Sequence, residues 1–292
     1  MASTLILTHS DFDGWLAGAI ACVALQARGE TVELRHVHYG DTCPIEAAAG
    51  RDVYVLDFSW PAELMLALQA SAKLLIWLDH HPGSVSSELQ IYGARATDRC
   101  AAWLVWRHFH PWEPTPEIVA HCDDHDRWIH AYPKTRLIAA AVEAQAPRAG
   151  GALWERWPAL LAGDQAERAR TLAEGQLLVD AQEGRVALLK HRAVPVTLDG
   201  RQALAVNATS DVNELADALE GAEVAWIWSI SVRDGQPVVT NSLRSRKGGV
   251  DVGQIAKGRG GGGHRSAAGW VDGTLAEAEI LRALGIAPGA ER

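Results

Sequence analysis

Three short apolar runs each end in residues able to hold a metal ion: His9, Asp11 and Asp13 after residues 5–7, Asp57 after 53–56, and Asp79, His80 and His81 after 74–78. A fourth group, Asp124 and Asp126, closes a stretch that reads as helix. No Lys or Arg is interleaved in the first three groups. Carboxylates converging in one cleft repel each other and protonate unless cations compensate them, so a shared site implies bound metal. Imidazole plus carboxylate without thiolate suits Mn²⁺, with Mg²⁺, Co²⁺ and Zn²⁺ as alternatives. Four separated carboxylate groups are too many for one ion. They fit two ions sharing a bridging aspartate, which stabilises both the attacking and the leaving oxygen in phosphoryl displacement. One aspartate at a strand end is more often a turn former or helix cap. Acid or histidine at three successive strand ends exceeds what capping requires, and parallel sheets place ligands at those ends. His81 taken alone also fits a hydrogen-bonded structural role.

A second region carries opposite chemistry. Between Arg244 and Arg265 six Arg or Lys face one Asp, in a chain of 27 basic and 36 acidic residues with net charge −9, so this stretch reads as a local anion funnel. It includes the run from Gly258 to Gly269, which formally matches GxGxxG. A helix-like stretch precedes the run and no βαβ unit follows, so it is not a dinucleotide fingerprint, and a Walker A loop is excluded because Gly-Lys-Ser/Thr is absent. What the run offers is bare backbone amides able to close around a phosphate or base. His108, His110, His121, His125 and His130 fit no zinc-finger spacing with Cys122. Of the 12 Trp, Trp128 and Trp270 are the choices for stacking on a base.

The elements that must position these groups follow from apolar patterning. Strands at 5–7, 32–38, 53–56 and 74–78 alternate with helices at 14–27 and 61–70, the latter with Pro61 at N1, which predicts a buried, mostly parallel sheet. Helices follow at 98–109, with Asp98 as N-cap, and at 115–122. A long helix over 165–190 leads to different grammar: a hairpin of 194–197 and 203–206, a helix at 213–219, strands at 224–232 and 237–243 around Asp234-Gly235, and a helix at 275–284. The predicted fold is α/β: an N-terminal mostly parallel sheet flanked by helices (1–163), a linker helix (164–192) and a smaller α+β C-terminal domain (193–292). A length of 292 residues exceeds one comfortable core and supports that division. Apolar residues at 48% with charged residues at 22% exclude a disordered or collagen-like chain. Cys22, Cys43, Cys100 and Cys122 form no CxxC pair, the first four residues are not basic, and no apolar run approaches the about 20 residues of a membrane span. The expectation is a cytoplasmic protein with no membrane segment.

With these residues in hand, the chain resembles the DHH phosphoesterase superfamily, in the branch with a C-terminal DHHA1 domain. The resemblance rests on HSDFDG (9–14), VLDF (55–58), LDHH (78–81), DDHDRW (123–128), SLRS (242–245) and GGGGHRSAAG (260–269). It implies two ions, Mn²⁺ or similar, held by His9, Asp11, Asp13, Asp57 and His80 with Asp57 as bridge. Asp79 is implied to orient its neighbours and His81 to touch the scissile phosphate. In the fourth motif Asp124 and Asp126 are both available, and the spacing does not choose between them. Arg244 and His264, with Ser245, Gly261, Gly262 and Gly263, are the implied substrate contacts. The expected activity is that of a nanoRNase-like exonuclease, hydrolysing short single-stranded oligonucleotides or linear dinucleotides by a two-metal mechanism. The net charge disfavours long duplex DNA. A phosphatase acting on 3′-phosphoadenosine 5′-phosphate, an exopolyphosphatase and a non-catalytic nucleotide sensor are the alternatives. Inorganic pyrophosphatase ranks low, because that branch has a different second domain without the GGGGH run. A homodimer is left open.

Overall fold

The computed structural model describes residues 3–145, 152–233, 236–246 and 248–272. The chain divides into two compact units, Met1–Val179 and Asp180–Arg292, with the division inside one long helix. The first unit runs β1 (Thr4–His9), α1 (Phe12–Ala27), β2 (Val32–Val37), α2 (Ile45–Ala48), β3 (Asp52–Leu56), α3 (Ala62–Ser71), β4 (Leu74–Leu78) and α4 (Pro82–Val85). Helices α5 (Ala101–Phe109), α6 (Glu117–Asp126), α7 (Thr135–Gln145), α8 (Ala152–Leu161) and α9 (Gln165–Lys190) follow. The four strands form a parallel sheet in the order β2-β1-β3-β4.

Strand alternation sends side chains to opposite faces, and both faces are apolar. Ile6, Tyr54, Leu56, Ile76 and Leu78 pack under α1, α5, α6, α7 and α8. Leu5, Leu7, Val53, Val55, Leu75 and Trp77 pack on the other side with Ala48, Met65 and Leu68 from α2 and α3. Burial on both faces fixes the register, since a slip of one residue would exchange the two cores. Helix α1 is apolar nearly all round because it lies between the sheet and other helices.

The second unit holds the end of α9, then β5 (Val194–Leu198), β6 (Arg201–Asn207), α10 (Val212–Ala218), β7 (Val224–Arg233), β8 (Gln236–Arg244), α11 (Val252–Lys257), β9 (Gly262–Gly263) and β10 (Ala267–Asp272). They build a mixed sheet in the order β5-β6-β7-β8-β10-β9, in which only β6 and β7 pair in parallel. Helix α11 covers Ala203, Ala205, Trp226, Leu243 and Trp270 on one face. Helix α10 and Val186 of α9 cover Val206, Ala225 and Ile227 on the other.

The long helix, the hairpin and the parallel strands follow the patterning closely, and four details differ. Helix α5 begins at Ala101 rather than at 98, with Cys100 at the cap position. Pro61 sits outside α3 as its cap residue. Helices α2, α4, α7 and α8 and strands β9 and β10 are additions to the expected elements, β9 because its two glycines carry no strand signal. Trp270 is 6% exposed, packed against Trp226 and under the Arg259 guanidinium, so it offers no face to a base. Asp234, Gly235, Lys247 and the helix expected at 275–284 lie outside the described residues. No helix among the described residues is long and apolar enough to cross a membrane.

Candidate metal centre

The parallel sheet creates the site by lining up strand ends. Thr8 pairs with Leu56 and Leu56 with Leu78, so His9, Asp57 and Asp79 emerge side by side in the next row. The amide of Asp57 donates to Leu78 O at 2.9 Å, and its φ of 54° turns the chain out of the strand. Helix α1 starts directly over the end of β1. A Cβ on Gly14 would lie 2.2 Å from His9 O, so only glycine permits that approach. Asp11 caps the helix by accepting from the Gly14 amide at 2.9 Å, while its other oxygen lies 2.7 Å from His9 Nδ1.

Among the described residues, the groups whose ligand atoms lie within 4.8 Å of one another include His9, Asp11 and Asp57, Asp13, His80 and Asp126, and, overlapping both, Asp57, His80 and His81. His80 Nε2 stands 3.5 Å from Asp126 Oδ2, 3.7 Å from Asp13 Oδ2 and 3.4 Å from Asp57 Oδ1, so Asp57 touches both groups. Asp13 is fixed by the amides of Ala101 and Ala102, both 2.7 Å away at the N-terminus of α5. Asp57 is 1% exposed, and neither of its carboxylate oxygens has a hydrogen-bond partner; Asp126 Oδ2 is likewise buried without one. Burial, then repulsion from Asp126, pushes the Asp13 carboxyl up to about 7. Burial and the neighbouring aspartates push Asp57 well above the usual carboxylate range, and burial raises Asp126. Buried carboxylates with bare oxygens and imidazole between them are a donor set that fits hard to borderline divalent cations.

Asp79 has a different task. It is fully buried and accepts from the amides of His80 and His81 at 2.7 and 3.2 Å, from His81 Nδ1 at 2.8 Å and from the Ser84 hydroxyl. Burial works against its charge, but the His81 and Ser84 hydrogen bonds hold it below the ordinary value. In return the Asp79 hydrogen bond raises His81, whose Nδ1 lies 3.8 Å from Asp57 Oδ1. Asp79 therefore contacts the His81 ring and the backbone amides of both histidines. Ser84, which sequence reasoning missed, completes its hydrogen bonding from helix α4.

Asp124 requires a correction. The sequence groups it with Asp126 as a metal residue, yet its carboxylate accepts from Ala131 N at 2.7 Å, Tyr132 N at 3.2 Å and the Thr135 hydroxyl at 2.6 Å. It ties the loop after α6 to the start of α7. Residues two apart on a helix point to nearly opposite sides, so once Asp126 faces His80 its neighbour cannot. Sequence reasoning also missed Tyr39: it follows β2, is 66% exposed, and its ring stands 5.7 Å from that of His9 and 4.9 Å from Phe58. Trp128 is 63% exposed, at a φ of 56° just beyond α6.

The basic region lies in the second unit. Arg244 ends β8 with Nε donating to Asn213 Oδ1 at 3.0 Å, beside a cleft it lines with Ser245 and Arg246. The Ser245 hydroxyl donates to Val250 O at 2.6 Å. The glycine run is not an open ring of amides, contrary to expectation. The amides of Gly260, Gly261 and His264 donate to the carbonyls of Lys257, Ala256 and Ala267, and Gly262 and Gly263 pair with β10. A Cβ on Gly261 would fall 2.1 Å from Gly269 O, so close strand packing accounts for that glycine. Gly262 opens to free space, and the neighbouring His264 is exposed.

The chain has the fold of DHH-domain proteins, with a parallel-sheet unit followed by a mixed-sheet unit. Among solved structures it is similar to the DHH domain of PF0399, a member of a family of ribosomal proteins, at a TM-score of 0.60, 15% identity, and coverage of 97% of this chain and 86% of that one. It is also similar to PggH, a pGpG-specific phosphodiesterase from Vibrio cholerae, at a TM-score of 0.58, 16% identity and 96% of both chains. Exonuclease RecJ bound to manganese gives a TM-score of 0.55 at 16% identity, over 97% of this chain and 89% of that one. No protein-family model matches the sequence. A curated relative, uncharacterized protein R106 of Acanthamoeba polyphaga mimivirus, is 23% identical over 240 residues, or 77% of this chain. The chain spans 54% of that relative's length.

Proposed function

We propose that this protein is a metal-dependent phosphoesterase that hydrolyses short oligonucleotides or linear dinucleotides. The observation that carries the reading is Asp57, a buried carboxylate with both oxygens bare, set between His9 and Asp11 on one side and His80 on the other. Two divalent ions, Mn²⁺ first with Mg²⁺ or Co²⁺ as alternatives, would be held by His9, Asp11 and Asp57 and by Asp13, Asp57, His80 and Asp126. Such ions, when bound, supply an activated water and neutralise charge on the phosphoryl oxygens. The remaining work belongs to side chains. Asp79 holds His81 through Nδ1, which leaves Nε2 to donate to a phosphoryl oxygen, and fixes the His80 backbone at the same time. In the second unit Arg244 and His264 would meet substrate phosphate and base, with Gly262 permitting close approach and Ser245 fixing the turn.

The phosphodiesterase and exonuclease of like fold support a nucleotide substrate. The acidic net charge supports a short one. Four cysteines, none in a disulfide, support the cytoplasm as its compartment.

The test is product analysis by ion-exchange chromatography with Mn²⁺, offering pGpG, a short and a long RNA, adenosine bisphosphate and polyphosphate at equal concentration. Preferential release of mononucleotides from pGpG and the short RNA is the expected result. Phosphate release from polyphosphate alone would overturn the substrate assignment and move the chemistry to phosphoanhydrides. No turnover of any phosphate ester, with Mn²⁺ bound, would overturn the enzymatic reading.

A further inference from the structure

Behind the metal centre two thiols meet one of its carboxylates. Cys100 caps α5 and Cys122 lies on α6; both are 0% exposed. Their sulfurs are 4.0 Å apart, and Cys122 Sγ is 3.6 Å from Asp13 Oδ1. The three ligand atoms lie within 4.8 Å of one another. The two oxygens of Asp13 face different chemistry: Oδ2 stands 3.7 Å from His80 Nε2, and Oδ1 is the one beside the thiol.

These spacings can be compared with the edges of a coordination tetrahedron. Zinc–sulfur bonds of about 2.3 Å and zinc–oxygen bonds of about 2.1 Å at tetrahedral angles put sulfur about 3.8 Å from sulfur and about 3.6 Å from oxygen. The observed separations agree with both edges to about 0.2 Å. A disulfide would need the sulfurs at about 2.05 Å, so both are free thiols; without an ion, Cys100 Sγ donates to Cys122 Sγ and Cys122 Sγ to Asp13 Oδ1, at spacings that an ion replacing the two protons would keep. The sequence conceals the site because Cys100 and Cys122 are 22 positions apart with no CxxC or finger spacing.

We propose that Cys100, Cys122 and Asp13 Oδ1 form a site for a thiophilic divalent ion of the zinc class, and that its occupation weakens the adjoining metal centre through Asp13. On binding, the ion replaces the two thiol protons, which pass to solvent, and both sulfurs coordinate as thiolates; no electron is transferred. Thiolate selects soft ions, so Mn²⁺ and Mg²⁺ do not compete there, whereas zinc or cadmium draws on both sulfurs. Asp13 then gives part of its charge to the soft ion and has less for the cation beside His80 and Asp126. A second positive charge so close also repels that cation.

The experiment titrates the full-length, metal-free chain with Cd²⁺ while Mn²⁺ in excess fills the oxygen and imidazole sites. Two signals are read: the thiolate-to-cadmium charge-transfer band in the near ultraviolet, and free Mn²⁺ by electron paramagnetic resonance. The expected result is one equivalent of Cd²⁺ with a two-thiolate band, accompanied by Mn²⁺ release. Cys100→Ser and Cys122→Ser each weaken that equivalent by at least the about 10-fold that even an outer ligand partner is worth, while Cys22→Ser and Cys43→Ser leave it intact. Cys122→Ala serves where the serine variant fails to fold. Absence of the band in a folded, Mn²⁺-binding wild type overturns the site, and so does a band that survives in both cysteine variants. A band with unchanged Mn²⁺ occupancy overturns the coupling. The coupling rests on the proposed divalent centre, but none of these readouts depends on turnover, so failure of the thiolate site and failure of the phosphoesterase reading are distinguishable.

Discussion

Asp57 and Asp79 are both buried aspartates at strand ends, yet they differ in what satisfies them. Asp57 has bare oxygens among other carboxylates, and without cations that arrangement strains the fold. Asp57→Asn should therefore raise metal-free stability, read by urea unfolding in EDTA, while lowering Mn²⁺-dependent turnover at least about 100-fold. A fall in metal-free stability would contradict the repulsion argument. Asp79 is saturated with donors, so Asp79→Asn replaces one acceptor oxygen with a donor facing amides and His81. Turnover should drop about 10–100-fold with Mn²⁺ affinity less affected, separable by comparing calorimetric binding with kinetics. Residue identity was legible in the sequence for this cluster, since histidine and aspartate in strand-terminal groups mark it. Which aspartate of 124 and 126 faces the site was not, because that depends on the rotation of α6 about its own axis.

At the scale of elements, two junctions hold the site. The first is the end of β1 against α1. Gly14→Ala would place a methyl 2.2 Å from His9 O, forcing the helix off the strand end. It should cost about 1–3 kcal/mol in urea unfolding and loosen Mn²⁺ binding, because Asp11 and Asp13 ride on that junction. The second is the α6–α7 pair. His121 is buried with Nδ1 2.9 Å from the Thr135 hydroxyl, which in turn donates to Asp124. Burial lowers His121 below its ordinary 6.5, with Glu117 opposing. The unfolded chain thus takes up a proton at a higher pH than the folded one does, so stability falls as pH drops through about 6.5 toward the lower folded value. His121→Gln should flatten this part of the profile between about pH 8 and about pH 5, in unfolding free energies measured side by side. An unchanged slope would remove His121 as its source.

At the scale of the molecule, the two units have separate cores, two clusters in each. Every proposed ligand to the divalent pair lies in the first unit. Saturating Mn²⁺ should stabilise that unit by about 2.7 kcal/mol per ion at 100 times the dissociation constant, reversibly removed by EDTA. In calorimetry one unfolding transition should move up and the other stay. Movement of both by the same amount would show that the units unfold as one.

The sequence by itself determined the element grammar and the chemistry. Strand runs, the long helix, the hairpin and the metal-competent residues are local properties of composition and period. The tertiary structure decided the rest, for a common physical reason. Capping of α5 comes from Asp13, whose carboxylate accepts the Ala101 and Ala102 amides, and from Asp123, which accepts the Cys100 amide; both lie far from that helix start in the chain. The meeting of Cys100 with Cys122 is likewise a contact between segments distant in sequence, while the division of labour between Asp57 and Asp79, the exclusion of Asp124 and the engaged amides of the glycine run are set by how each turn and helix end is oriented. They depend on helix rotation and strand neighbours, which periodicity does not encode.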